Sequence, residues 1–314
     1  MSSIRWQQND PNLYLSVNSR WYRFDTTVPP VGEGAMGIVY LGFDCDTNVK
    51  VAVKMLRQEF WGDPNIRNRF KLEGLIIMHH PHIVQMIGYC EDDSGTGPLF
   101  VLSEYVCGVT FKEHVQSQLS FLDSDSRVRY SKIVSEFQPV MSAVRHLHSY
   151  GVIHRDIKPM NLMFQDGCRL KLMDLGIAKA DYFFDAHLKG FIGSKPFAAP
   201  EQIVEDNVEA VIDKRADIYS LGVTLSHLLV GHFPPQREDR LPQDLANVIT
   251  KATMINPDDR YQTADEMERD VELYLSNLSK KRIKLNSEKV FILLFIIALL
   301  SFICLMFCKY MLWM

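Results

Sequence analysis

The first twenty residues lack the apolar core of a secretory signal, so the N-terminus is expected to remain in the cytoplasm. Cysteine is sparse and spaced without pattern. Cys45, Cys90, Cys107, Cys168, Cys304 and Cys308 include no CxxC pair, which points to free thiols in a reducing compartment. A basic excess is missing from most of the chain. Formal charge is −4 in all and +5 after residue 279, so residues 1–279 carry −9, which argues against nucleic acid as a partner. His79-His80-Pro81-His82 has no Cys or carboxylate cluster beside it, and its spacing does not set two ligands on one helix face. It does not read as a metal site. What is present is a globular composition, 47% hydrophobic and 23% charged over 314 residues, with room for one large domain or two lobes.

The densest chemistry lies in His154-Arg155-Asp156-Ile157-Lys158-Pro159-Met160-Asn161. An Asp and an Asn five residues apart, with a Lys between them, gather a base, a metal ligand and a phosphate counter-charge on one short loop. Phosphoryl transfer needs that set, because its chemistry is mostly positioning and charge neutralisation. Next, Leu162-Met163-Phe164 and Leu170-Lys171-Leu172-Met173 flank Gln165-Asp166-Gly167, a hairpin whose Asp-Gly suits a tight turn. Asp174 emerges from it. Asp156 and Asp174 thus end a loop-plus-hairpin unit that can bring them together, and with Asn161 they make a site suited to Mg²⁺.

Upstream, the glycines of Gly32-Glu33-Gly34-Ala35-Met36-Gly37 would let backbone amides approach phosphate oxygens. A dinucleotide site uses the same spacing but opens a helix. Here Ile38 to Phe43 reads as a strand, which favours a strand–turn–strand flap. Val51-Ala52-Val53-Lys54 is a second strand, ending in a Lys that is either solvated or paired. Asp63-Pro64 starts a helix with a cap and a first-turn proline, and Ile66, Phe70, Glu73 and Ile77 fall on one face of it. Glu73 is a carboxylate inside an apolar stripe, and it needs a cation unless the helix turns it to the margin. Lys54 is the candidate. Phe137, Val140, Met141, Val144 and Leu147 have helical spacing up to Gly151. Asp217 to Val230, closed by Gly231, reads as a helix too apolar for a surface.

In chain order GEGAMGIV, VAVK, Glu73, HRDIKPMN, DLG and APE make about residues 22–275 resemble the eukaryotic-type serine/threonine protein kinases also found in bacteria. The resemblance implies an α+β, two-lobed kinase fold over residues 21–278, with a β-rich lobe over about 21–106 and a larger helical lobe over about 107–278. It implies ATP and Mg²⁺ as cofactors and Ser or Thr of proteins as acceptors. Gly32, Gly34 and Gly37 would cover the phosphates, with Glu33, Val39 and Ala52 completing the nucleotide pocket. Lys54, held by Glu73, would grip the α- and β-phosphates. Asp156 would accept the substrate proton while Lys158 steadies the transferring group, and Asn161 and Asp174 would bind Mg²⁺. Glu104 and Val106 would lie on the hinge that meets adenine. Ser194, Asp217 and a Glu201–Arg260 pair would be structural.

The sequence departs from the family at four places. Leu175 replaces the usual Phe and keeps an apolar packing role. Pro29-Pro30 falls in what reads as the first strand, tolerable on an edge. Met160 gives no basis for an Arg preference in substrates. Residues 174–201 contain no Thr, and Tyr182 and Ser194 are their only hydroxyl-bearing side chains, so a phosphothreonine switch in that loop is not available. Control by clustering at a membrane or by a partner is the expectation. A pseudokinase scaffold would usually lack an equivalent of Lys54, Asp156 or Asp174, and all three are here. A small-molecule kinase would not need Ala199-Pro200-Glu201, which shapes a peptide ledge in the family.

Both ends lie outside that region. Residues 1–20 are polar, with scattered Trp6, Leu13 and Leu15, and read as an extension without an assigned role. Residues 279–289 form a basic linker. Val290 to Cys308 is uncharged, nineteen residues or roughly 28 Å of helix at ~1.5 Å per residue, the length of a membrane span. Bases before it and a six-residue tail, 309–314, predict a single-pass, tail-anchored protein with the kinase in the cytoplasm.

Overall fold

Alternation along the strands gives the smaller lobe two buried faces. The computed structural model describes residues 4–6, 10–118, 126–166, 169–175, 179–180, 195–203, 212–236, 241–280 and 296. Strands β1 (Ile4–Trp6), β2 (Asn12–Val17), β3 (Arg20–Asp25), β4 (Gly32–Glu33), β5 (Gly37–Asp44), β6 (Lys50–Leu56), β7 (Met86–Glu91) and β8 (Leu99–Glu104) form one antiparallel sheet. Its order is β1-β2-β3-β5-β6-β8-β7, with β4 on β5. Val53, Phe100 and Leu102 point to one side, where Leu13, Leu15, Val17, Tyr22 and Phe24 close over them. Leu56 and Val101 point to the other and join Phe70 in the main core. Each such side chain contributes about 1.5–3 kcal/mol on full burial.

Two strands of this sheet come from residues 1–20, the stretch that reads from sequence as a separate extension. Leu13, Leu15 and Val17 alternate with exposed or half-buried neighbours, a period of two that marks a strand with one buried face. The first strand also differs from expectation. β3 ends at Asp25, and Pro29-Pro30 occupy the segment between β3 and β4, where no ladder donor is needed.

Helix α1 (Pro64–Leu75) begins as its sequence dictates, with the Asp63 carboxylate accepting from the N–H groups of Asn65 and Ile66. It stops sooner than its apolar spacing suggests. Phe70 and Glu73 are buried, but Ile77 lies past the end and is 50% exposed. The larger lobe contains β9 (Gly108–Thr110), α2 (Phe111–Gln118), α3 (Ser126–Ser149), β10 (Val152–Ile153), β11 (Leu162–Gln165), β12 (Arg169–Leu172), β13 (Lys179–Ala180), α4 (Arg215–Val230), α5 (Gln243–Ala252) and α6 (264–280). The expected stripe from Phe137 to Leu147 is fully buried along α3. On α4 twelve of sixteen residues are buried, and Gly231 caps it at φ 88. Apart from residue 296, the uncharged run 290–308 lies outside the described residues, as does Ser194. Among the described residues no helix is long and apolar enough to cross a membrane.

The segment joining α1 to β7 is fastened to the larger lobe. Leu172 N donates to His82 O and Val84 N to Leu172 O, each at 2.9 Å, and the His82 ring meets Leu170 O at 2.8 Å. His80 stacks on His146 of α3 at 4.9 Å, and its Nδ1 accepts from His82 N. Burial, then the neighbouring His146, His82, Arg145 and Lys171, depress the His80 imidazole from 6.5 to about 4. Stability from keeping this ring neutral is therefore full above pH 6.5 and is lost as pH falls through about 4. Urea midpoints measured between those limits are expected to fall with acid in the native chain and to fall less steeply in His80→Phe.

Candidate active site

A buried carboxylate shapes the central loop from below. Asp217, on the first turn of α4 and wholly buried, accepts from Arg155 N at 2.8 Å and His154 N at 2.9 Å, with the His148 ring at 2.8 Å. Burial works against its charge, but the His148 bond, the electrostatic pull of the His148 and His154 rings and the Arg155 N–H together hold the carboxyl below its usual range. Arg155 is thereby kept at φ 69, a conformation that costs a non-glycine residue of order 1 kcal/mol or more. Asp156 N donates to His154 Nδ1, so the ring's proton is on Nε2, which faces Met173 O at 3.0 Å. Thr224 of α4 donates to Ile157 O at 3.0 Å.

On this support the predicted loop residues converge. Lys158 Nζ donates to Asp156 Oδ2 at 2.6 Å. Asn161 Nδ2 donates to the same oxygen at 3.1 Å and to Asp156 O at 2.9 Å, which leaves its Oδ1 as an oxygen ligand. Met173 N donates to Asn161 O at 2.8 Å, tying the loop to the residue before Asp174. β11 and β12 pair antiparallel as expected, from Leu162 opposite Leu172 to Gln165 opposite Arg169.

Lys54 joins the two lobes. On β6 it donates from Nζ to Glu73 Oε2 of α1 at 2.8 Å and to Asp174 Oδ1 at 2.9 Å. Burial alone would weaken its charge, but the Asp174 and Glu73 carboxylates outweigh that and push its pKa above the ordinary lysine range. The Lys54 ammonium in turn holds the Asp174 carboxyl at about 2. Asp174 is 45% exposed at its side chain, so an ionised oxygen faces solvent beside Asn161's loop. Two hard oxygen donors and no soft ones suit Mg²⁺. Leu175 behind it is buried, in keeping with an apolar packing role.

Over the cleft, β4 and β5 form the expected strand–turn–strand flap, with Gly32 opposite Val39 and Gly34 N bonded to Gly37 O at 2.8 Å. Arg57 pins its tip through Gly34 O and Glu33, each at 3.0 Å. The three glycines differ in kind. A Cβ at Gly37 would meet Met55 O at 3.0 Å and Phe70 at 3.1 Å, so a side chain there would push its neighbours aside by a few tenths of an ångström. At Gly32 and Gly34 a Cβ would make only ordinary contacts, at 3.8 and 3.7 Å. Their missing side chains answer no demand of the fold and leave the flap's backbone open to a ligand. Lys54 stands opposite Val39 and Val101 in the ladder, and Ala52 opposite Ser103, which lines one face of the cleft.

At the hinge, Val106 is buried, and Glu104 turns its carboxylate to Lys171 of β12 and accepts from Gln85 N at 2.8 Å. This crosspiece is absent from the expectations above. Its signal was Lys171, a charged residue in an apolar strand, buried with 6% exposed. Glu201 and Arg260 meet as expected, by a two-pronged bond at 2.6 and 2.8 Å. Gln202 beside them donates to Arg155 O at 3.0 Å, a link between ledge and loop with no sequence signal.

The family model for the protein kinase domain matches residues 26–289. The chain is 33% identical over 267 residues to the serine/threonine-protein kinase PknB of Mycobacterium leprae, covering 77% of this chain and 41% of that protein. It is 29% identical over 285 residues to the serine/threonine-protein kinase PrkC of Bacillus subtilis, covering 82% and 42%. The match therefore spans about two fifths of the length of these relatives. Among solved structures, the kinase domain of Mycobacterium tuberculosis PknI superposes with a TM-score of 0.57 at 26% identity, over 82% of this chain and 96% of that one. By sequence, by fold and by the set of side chains gathered in its cleft, the chain belongs to the protein kinase domain family.

Proposed function

We propose that this protein is a serine/threonine kinase that moves the γ-phosphate of ATP to hydroxyls of protein substrates, itself among them, at the cytoplasmic face of a membrane. The observation that carries the reading is Lys54, bonded at once to Glu73 and Asp174 across the cleft from the Asp156–Lys158–Asn161 cluster. A scaffold that had given up transfer would have no use for all six. The Ser/Thr preference rests on Lys158, two residues after Asp156, and on the names of the relatives.

In this reading each side chain has a task. Lys54, fixed by Glu73, holds the α- and β-phosphates. The flap from Gly32 to Gly37 covers the phosphates with backbone N–H groups, while Val39, Ala52 and Val106 pack on the base. Asp156 orients the acceptor hydroxyl and takes its proton on a carboxylate oxygen. Lys158, already beside it, spreads positive charge over the moving group. Asn161 Oδ1 and the Asp174 carboxylate would hold Mg²⁺, which when bound neutralises charge on the phosphates. Glu201, Arg260 and Asp217 keep the ledge and loop in place.

The membrane part rests on sequence. Residues 290–308 carry no charge, and Lys280, Lys281, Arg282, Lys284 and Lys289 precede them. Self-association there would take the place of a loop phosphothreonine as the control.

The test follows labelled γ-phosphate from Mg-ATP, with the full chain in lipid vesicles and with a generic basic protein. Label recovered as phosphoserine or phosphothreonine supports the enzyme. Bound nucleotide with no transfer in vesicles would support the membrane-tethered scaffold instead.

A further inference from the structure

The family's match begins at residue 26, yet the turn between β2 and β3 touches β7, the strand on which the ion-pair helix α1 packs. Asn18, at φ 51, donates from Nδ2 to Ile87 O at 2.7 Å. Val17, 3% exposed, stands against Gly88, where a Cβ would come within 2.6 Å of its Cγ1. β7 carries a register shift between Met86 and Gly88, and Gly88 sits at φ 149, so the strand is bent at the point of contact. On the other side of Gly88 lies Gly74 of α1. A Cβ there would be 2.9 Å from the Gly88 carbonyl carbon and oxygen. Turn, strand and helix thus meet through two glycines with no side chain between them to absorb a shift.

The helix also has no slack along the rest of β7. Arg67, 4% exposed, bonds Glu91 at 2.9 Å, and Lys71 bonds the same carboxylate at 2.7 Å. Where β7 goes, α1 goes. The residue before Gly74 is Glu73, the partner of Lys54.

We propose that the β2–β3 hairpin is a positioning element of the phosphoryl-transfer site, setting the place of α1 and so of the Glu73–Lys54 pair by its grip on β7 at Ile87 and Gly88. Val17 and Asn18 are its positioning residues, and they act through Gly88 and Gly74 rather than by touching substrate. The proposal rests on the kinase reading for its effect on turnover, but the mechanical link is measurable without it.

The test uses the full chain in lipid vesicles, with Asn18→Gly, Gly88→Ala, Val17→Ala and the Val17→Ala/Gly88→Ala pair. Asn18→Gly keeps the left-handed backbone and removes only the bond to Ile87, so it is the variant least apt to unfold. Two readouts are taken: turnover against KM for ATP, and amide hydrogen exchange along 64–75. Asn18→Gly and Gly88→Ala are expected to lower kcat by about 10-fold, as a displacement of a catalytic group by a fraction of an ångström does. Exchange in α1 should quicken while that in β5 and β6 holds. The double variant should recover only the steric part of what Gly88→Ala loses, because trimming Val17 makes room for the new Cβ while the strain of a side chain at φ 149 remains. A hairpin that merely stabilises would quicken exchange through the whole sheet, β5 and β6 included, and that result overturns the proposal. If the native chain transfers no phosphate, the kinase reading fails, and exchange in α1 alone then decides: faster exchange in Asn18→Gly supports the grip, and unchanged exchange refutes it.

Discussion

Asp156→Asn is expected to slow phosphoryl transfer by about 10²- to 10⁴-fold, the range for loss of a general base, in a protein that still folds. An amide has the carboxylate's shape but takes up no proton from the acceptor hydroxyl. It also leaves Lys158 without its anionic partner, which costs about 1.5–3 kcal/mol at a charged hydrogen bond. A domain with 5–15 kcal/mol in hand, the usual span, survives that. Mg-ATP affinity should change little, since Lys54 and Asp174 are untouched. Single-turnover rates and calorimetric titration of nucleotide separate the two quantities. A variant that keeps a tenth or more of the native rate would remove Asp156 from the role of base.

Arg260→Ala is expected to be the most destabilising single change, at about 3–5 kcal/mol for breaking a buried pair. Its guanidinium is wholly buried, and besides Glu201 it bonds the carbonyls of Met254, Arg215 and Ile255. It also lies 5.0 Å from the Tyr219 ring. Removing it strands a carboxylate and three carbonyls at once. At 2–4 °C per kcal/mol for a chain of this size, the melting midpoint should fall by roughly 10 °C. Arg260→Lys should recover little, because one ammonium cannot reproduce a fork that bonds both carboxylate oxygens. Glu201→Gln added to Arg260→Ala should cost less than it does alone, since its partner is already gone. Thermal melts of the four proteins give the coupling, and a loss below about 1 kcal/mol in Arg260→Ala would deny the pair its structural weight.

The cleft was legible because its chemistry demands particular residue types at close spacing. Asp156, Lys158 and Asn161 sit within six residues of chain, and Glu73 announced itself as a charge inside an apolar stripe. What the chain hid is of another kind. Glu104 meeting Lys171, and Gln202 meeting Arg155, join residues far apart in sequence, and no local pattern names the partner of either. The first exists only once the lobes have met, and the second only once the larger lobe has folded. The helix boundary at Leu75 is hidden for a local reason, since apolar Ile76 and Ile77 continue the pattern after the backbone has left it. The strand in residues 12–17 has a plain period of two, but three apolar residues among polar ones look too few to form a core. They suffice because the sheet supplies the opposite wall.

That wall has a practical consequence. Anyone preparing this protein from the family's boundary at residue 26 would discard β1, β2 and β3, with Leu13, Leu15, Val17, Tyr22 and Phe24. Val53, Phe100 and Leu102 would then face water as a contiguous apolar patch beside the newly unpaired edge of β5, the two features that make protein molecules stick to one another. The product would be expected to precipitate in the expression host, and a wrongly chosen start would be mistaken for a dead enzyme.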